Sequence, residues 1–387
     1  MAKKVEKTPL KKGKAFFNIV GNAKITDFTF KKDTVSEKTG YKYSRLNLGI
    51  ETKAGNVVYT EAMGGFHTSP EKDNVLYVAS KEDLTNTYTI DWEDREDEKV
   101  LETIHPMKFI KIGIEKYKKD GEEKVFTRSF LSWYDAIDYL SEHIEDGMKI
   151  AVSGQLKYSK YNDKIQVKKE IQSIYLTKEE NPNRATFTQT ILIDKDSVEK
   201  LDKETGEYPV FTRVLDYTKM WGEKEVKTTV PFPLYFYVKS ENEKMSEEQV
   251  QKFLKMFFKV KKGITELTVE GDIIEGTEMG EVTEDDIPDD MQELIDLGLY
   301  TKEDILKKLV VKGERVSKLV ITKPYLKVEE KDGAKTTSFL KIDERYTDED
   351  LFLDFMNEDA EDAEEEKAEA VVESSDDDDD WLKKLDD

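Results

Sequence analysis

The chain has no cysteine. That one absence excludes disulfides, thiolate zinc sites and cysteine nucleophiles together. Histidine is almost as scarce, with His67, His105 and His143 far apart. Nucleophilic triads and histidine metal sites have few members to draw on, so no metal or other cofactor is expected. No apolar run approaches the roughly 18 residues that a membrane span needs. The lysine-bearing start "MAKKVEKTPLKKGKAFF" has no apolar core of a secretory signal. A cytoplasmic protein is the simplest expectation. No Walker phosphate loop, dinucleotide glycine fingerprint or serine-hydrolase elbow occurs. A binding protein is expected, not an enzyme. A carboxylate-only metal nuclease would need acids that converge in space, which sequence does not display.

Arginine is rare too, at seven of the 61 basic residues. Lysine is a point charge suited to backbone phosphates, whereas arginine is the better reader of bases. The net charge is −23 over 387 residues. From Glu358 onward there are 16 acids and 3 lysines. Such a chain repels nucleic acid on average, so any nucleic-acid site must be a local basic stripe. Residues 1–14, with six lysines and one acid, read as a flexible basic arm.

From Ala15 the pattern is β-rich. Short alternating runs such as "AFFNIVGNAKITDFTF" are separated by turn residues. One helix follows, "SWYDAIDYLSEHIEDG", with Ser132 as cap and Asp135 three residues on. Its stripe is Trp133, Ile137, Leu140 and Ile144. Two more strands flank a turn at Asn162-Asp163. After a linker at 179–185 the order repeats, with a second helix capped by Ser246 and Gln249. The expected architecture is mainly β with a few helices: two tandem OB-fold-like five-stranded barrels plus a disordered acidic tail. The barrels span 15–178, with an insertion at about 67–125, and 186–345, with a helical insertion at about 285–309. The insertion's apolar stripe is Leu294, Ile295, Ile305 and Leu309. The tail spans 346–387.

The stretch "FLSWYDAIDYLSEHIEDGMKIAVSGQLKYSKYNDKIQV" (130–167) resembles the bacterial and phage single-stranded DNA-binding protein family, above all at "GQLKYSKY". The resemblance places base-stacking aromatics at Trp133 and Tyr161, with Phe126 the nearest candidate for another. It also implies that an acidic tail with an apolar tip docks on partner proteins. Here Asp376, Asp377, Asp378, Asp379 and Asp380 precede Trp381, Leu382 and Leu385. The family's usual tip ends at the last residue, whereas this chain adds Lys383, Lys384 and two aspartates, so the pocket it fits must differ.

Sequence-neutral binding of single strands needs ring faces for bases and cations for phosphates. Aromatics interleave with cations in "FTFKK", "YKYSR", "KYSKYNDK" and "YTKMW". The candidate DNA contacts are therefore Trp133, Tyr161, Tyr158, Lys157, Lys160, Lys164, Phe126, Arg128, Tyr43, Arg45, Lys31, Lys32 and Trp221. The candidate partner-binding residues are the five aspartates and the tip. The expected function is coating of single-stranded DNA in replication or recombination. Recruitment of a polymerase, primase, helicase or nuclease through the tail goes with it, in a monomer or dimer. The alternative is an acidic DNA mimic that occupies a basic pocket of a nucleic-acid enzyme.

Overall fold

A computed structural model describes residues 7–356, apart from 54, 120, 162–163, 243–244, 332–333 and most of 280–311. The described part is mainly β. The strands of the first half are β1 (Ala15–Lys24), β2 (Phe30–Val35), β3 (Tyr41–Lys53), β4 (Asn56–His67), β5 (Val75–Ser80), β6 (Asp83–Asp91), β7 (Ile110–Lys119), β8 (Glu122–Phe130), β9 (Lys149–Tyr161) and β10 (Lys164–Leu176). The one-turn helix α1 (Glu98–Leu101) precedes β7, and α2 (Trp133–His143) precedes β9. The second half has β11 (Arg184–Ile193), β12 (Glu207–Trp221), β13 (Lys224–Lys239), β14 (Ile264–Met279), β15 (Lys312–Pro324), β16 (Leu326–Lys331), β17 (Ala334–Phe339) and β18 (Lys341–Tyr346). Helix α3 (Glu247–Phe257) lies between β13 and β14, and the short α4 (Asp348–Leu351) follows β18.

Alternation builds the first barrel. Ala15, Phe17 and Ile19 point inward from β1, while Phe16 is half-exposed. Strand pairing runs β1–β3–β4–β10–β9 and returns to β1, which closes a five-strand barrel. The β4–β10 step is parallel and the others are antiparallel. Helix α2 plugs the barrel with Ile137 and Leu140, both fully buried. Ser132 caps it by accepting from the Tyr134 amide at 3.1 Å. Asp135 does not complete a capping box, because Arg95 clamps it with two bonds of 2.9 and 3.1 Å. The same cycle of pairings recurs as β11–β12–β13–β15–β14–β11, again with one parallel step. Here the box does form, between Ser246 and Gln249, and Val250, Leu254 and Phe257 are buried.

A local twofold relates the two cycles. Phe17 faces Gly154 across β1–β9, and Phe187 faces Gly271 across β11–β14. Phe17 and Phe187 also face each other where β1 pairs with β11. Exchanging the strands about that pair turns Ala15↔Gln189 into Ile19↔Ala185, which the register also contains. Two partly buried ion pairs reinforce the seam. Lys169 pairs with Glu275, and Lys12 reaches the fully buried Asp216 at 2.7 Å.

Three boundaries depart from expectation. The inserted segment is not all extra, because β7 joins the first barrel by pairing with β10. Residues 7–14 are not a loose arm. The Thr8 amide donates to Asp350 at 2.7 Å, Lys7 to the Phe352 carbonyl at 2.8 Å and the Lys14 amide to Thr190 at 2.9 Å. The ordered chain also runs past 345. Tyr346 and Leu351 are buried with Leu192, Leu215 and Ile264, and Leu353, Phe355 and Met356 pack on the main core. The physical reason is the "LFLDFM" run at 351–356, which buries apolar surface before the acids begin. Of the helical pair expected at 285–309, only Ile287, Met291, Ile295 and Thr301 belong to the described residues.

The buckle between the two ends titrates. Asp350 accepts from the Thr347 and Thr8 amides, which holds its carboxyl below the usual range. A depressed carboxyl stabilises above its unfolded value of about 3.9, and that stability is lost as pH falls through the folded value. The Thr8 amide is therefore expected to lose exchange protection below about pH 3.9, after correction for intrinsic rates. Protection unchanged down to full protonation would show that Asp350 does not hold the arm.

Candidate nucleic-acid interface

Strands β3 and β4 extend beyond the barrel as a two-stranded ribbon, with β2 along its edge. Period-two alternation puts Tyr41, Tyr43 and Arg45 on one face. Opposite them stand His67, Gly65 and Met63, while Lys31 of β2 pairs across to Arg45. The Tyr41 and Tyr43 rings are nearly parallel, at 14° with centroids 6.3 Å apart. His67 meets Tyr41 edge-on at 5.0 Å, and the Lys31 ammonium lies 5.8 Å from the Tyr43 centroid. Across from Tyr43 only glycine fits. A Cβ at Gly65 would stand 2.0 Å from the Lys42 carbonyl oxygen. No side chain of β4 therefore stands across from Tyr43, whereas Thr34 of β2 faces it from the other edge. Arg45 is steered by Glu61 at 2.9 Å, and Met63 beside it is exposed.

The ribbon's other face meets α2. Lys42 pairs with Asp33 at 2.8 Å and lies over the Phe66 and Tyr134 rings. The Lys42 ammonium and then the Tyr134 hydroxyl hold the Asp33 carboxyl below its usual range, and Asp33 in turn raises Lys42. Lys32 also faces this way, bound to Asp138 at 2.5 Å and to Ser141 at 3.1 Å. Lys31 and Lys32 alternate across the strand, so Lys32 faces α2 and does not share the Tyr41–Tyr43 platform. Trp133 opens α2 half-buried against Gly64, where a Cβ would meet the Trp133 Cβ at 2.9 Å.

The remaining candidates fall in two other places. Tyr161 and Lys164 pair at the tip of the β9–β10 hairpin, with Tyr161 61% exposed. Lys157 points to Asp216, 3.9 Å away, and Lys160 lies 5.4 Å from the Trp221 ring centroid. Two residues here are corrected. Tyr158 is buried, its hydroxyl donating to Gln189 at 2.9 Å, and burial pushes its phenol far up. Trp221 is buried between Phe232 and Phe355. Neither ring offers a face to a base in this arrangement. Both lie on inward positions of strands whose neighbours alternate outward, which "KYSKY" and "YTKMW" read as composition do not reveal.

Phe126 and Arg128 sit on the β7–β8 hairpin. Phe126 is half-exposed against Tyr117. Arg128 bonds Glu115 at 3.2 Å and covers the Tyr139 ring. Glu115 also accepts from the Tyr139 hydroxyl at 2.7 Å. That bond and Arg128 hold the Glu115 carboxyl down, while burial and Glu115 push the Tyr139 phenol up to about 12. These residues sit on a different hairpin from the ribbon. The expected thirteen contacts thus divide, and Lys31, Tyr43 and Arg45 share the platform with Tyr41, His67 and Met63, which had been missed. Tyr41 was legible as the i−2 neighbour of Tyr43 in "YKYSR". His67 and Met63 needed the β3–β4 register.

The platform belongs to one barrel. In the second, β12 and β13 pair only from Glu207↔Lys239, so no ribbon answers to Tyr41–Arg45. Among the described residues no group of three His, Asp or Glu could hold a metal ion, and no helix is long and apolar enough to cross a membrane. Asp376, Asp377, Asp378, Asp379, Asp380, Trp381, Leu382 and Leu385 lie outside the described residues.

A family model matches residues 15–322. The chain belongs to the YorF family. No curated protein matches it. Among solved structures, a deletion mutant of the single-stranded DNA binding protein from Thermus aquaticus is 8% identical. The alignment covers 69% of this YorF-family chain and 89% of that one, at a TM-score of 0.30, too low to show a shared fold.

Proposed function

We propose that this YorF-family protein binds single-stranded DNA without regard to sequence, through the ribbon platform of the first of two OB-fold barrels. The observation that carries the reading is the parallel Tyr41–Tyr43 pair flanked by Lys31 and Arg45. Two rings two residues apart on a strand offer π-faces to bases, and cations beside them meet phosphates. Glu61 pre-orients Arg45, so a phosphate arriving there exchanges one anion for another. Duplex DNA hides its base faces and gains little from the rings. In the cell such a protein coats strands exposed in replication or recombination. Its acidic C-terminal segment, with Trp381, Leu382 and Leu385, recruits partner proteins.

Titration with poly-dT and with a duplex of equal length, at two salt concentrations, tests this. Tight poly-dT binding that weakens with salt, and much weaker duplex binding, is the expected result. Lys31→Ala should flatten the salt slope by about 0.7. Equal affinity for both DNAs, or none for poly-dT, would refute the reading.

A further inference from the structure

We propose that Trp221 and Lys160 form a second base-stacking site, covered in this structure by residues 352–356 and opened when that strap is displaced. The inference rests on the single-strand reading above. Trp221 ends β12 at a hairpin whose neighbours Tyr217 and Met220 are half-exposed. Lys160 comes from the other barrel, beside the exposed Tyr161, and stands over the indole. A ring and a cation thus meet where hairpins of the two barrels approach each other. The indole packs on Phe232 within its own barrel and on Phe355 of the strap. Phe355 meets the Trp221 ring at 6.3 Å, and Leu353 and Met356 of the same strap pack on the main core.

Two observations mark the cover as removable. The Trp221 Nε1–H is shielded from water yet has no acceptor among the described residues. A buried donor without a partner disfavours the closed arrangement and regains a bond on opening. The strap itself is shallow: Phe352 is half-exposed, and Leu353, Phe355 and Met356 are only partly buried. The strap also leads directly into the segment with 16 acids and 3 lysines. A base that stacks on Trp221 in the place of Phe355 must displace the strap.

The experiment uses the full chain and Phe355→Ala, each with and without Trp221→Leu, titrated with poly-dT at low salt. Trp221→Leu keeps an apolar side chain but removes the ring. Phe355→Ala is expected to tighten binding about five-fold or more, the low end for one stacked base. Trp221→Leu should erase that gain in the Phe355→Ala chain and change the parent by less than about two-fold. Should Trp221→Leu fail to fold, tryptophan emission of Phe355→Ala decides. Poly-dT should quench it more than it quenches the parent, and Lys160→Gln should remove most of the gain. Unchanged affinity and quenching in Phe355→Ala, or a gain that survives Trp221→Leu, overturns the proposal. Absence of poly-dT binding by the parent refutes the single-strand reading instead.

Discussion

Replacing Tyr41 and Tyr43 together by alanine is expected to weaken poly-dT binding by about 2–6 kcal/mol, from about 1–3 kcal/mol per stacked base. Both rings project from a ribbon outside the barrel wall, so their loss leaves the core of Leu46, Leu48 and Ile50 untouched. The thermal midpoint should hardly move. Each single variant should show roughly half the loss, because the rings offer separate faces at 6.3 Å. Tyr158→Phe is the contrast. It removes the bond to buried Gln189, so it should cost stability of about 1 kcal/mol and leave DNA affinity alone. A double Tyr41/Tyr43 variant with parental affinity would remove the platform from the binding site.

The second large effect concerns stability. Gly154→Ala is expected to destabilise the fold by about 3 kcal/mol or more. A Cβ there would stand 1.9 Å from the Glu170 carbonyl oxygen and 2.8 Å from the Phe17 ring. Neither β10 nor the buried Phe17 can retreat without opening the barrel. The local twofold repeats the constraint at Gly271, against the Val320 carbonyl at 2.0 Å and the Phe187 ring at 2.7 Å. The two substitutions should therefore cost similar amounts. Gly147→Ala is the control: its φ of +80° carries a strain of about 1–2 kcal/mol, but a Cβ there meets nothing within 4 Å. Urea unfolding of the three variants checks the order. A Gly154→Ala protein as stable as Gly147→Ala would mean that the strands part easily here.

Period and punctuation made the β-rich pattern and its helices legible. Ile137 and Leu140 repeat at helical spacing behind a serine cap, and β1 alternates, so element order followed from local rules. The buried Tyr158 and Trp221 were not legible for the same reason. An aromatic beside a lysine has the same composition whether its ring faces in or out, and only the cross-barrel partners Gln189, Phe232 and Phe355 decide. The ribbon was half legible. Tyr43 and Arg45 were named in one strand, but Met63 and His67 reach them through register, which is a long-range fact. The ordered run at 351–356 was hidden by the acids that follow it. Averaged over the whole segment, charge outweighs five apolar residues that pack locally.

The junction at Phe17 and Phe187 has a directional consequence. A nucleic-acid strand reads differently from its 5′ and 3′ ends, whereas a twofold has no preferred direction. A strand that runs straight over the β1–β11 seam meets one barrel forwards and the other backwards, so identical surfaces could not serve it equally. The two halves have accordingly parted company at matching positions. Where the first barrel has Gly49, Glu51, Tyr59 and Glu61, the registers of β12 and β13 place Phe211, Arg213, Tyr235 and Tyr237. Only Tyr59 and Tyr235 remain alike, and two acids have become an arginine and a tyrosine. Fusion of both halves into one chain is what permits this, because a symmetric dimer of one barrel would be bound to keep its two faces the same.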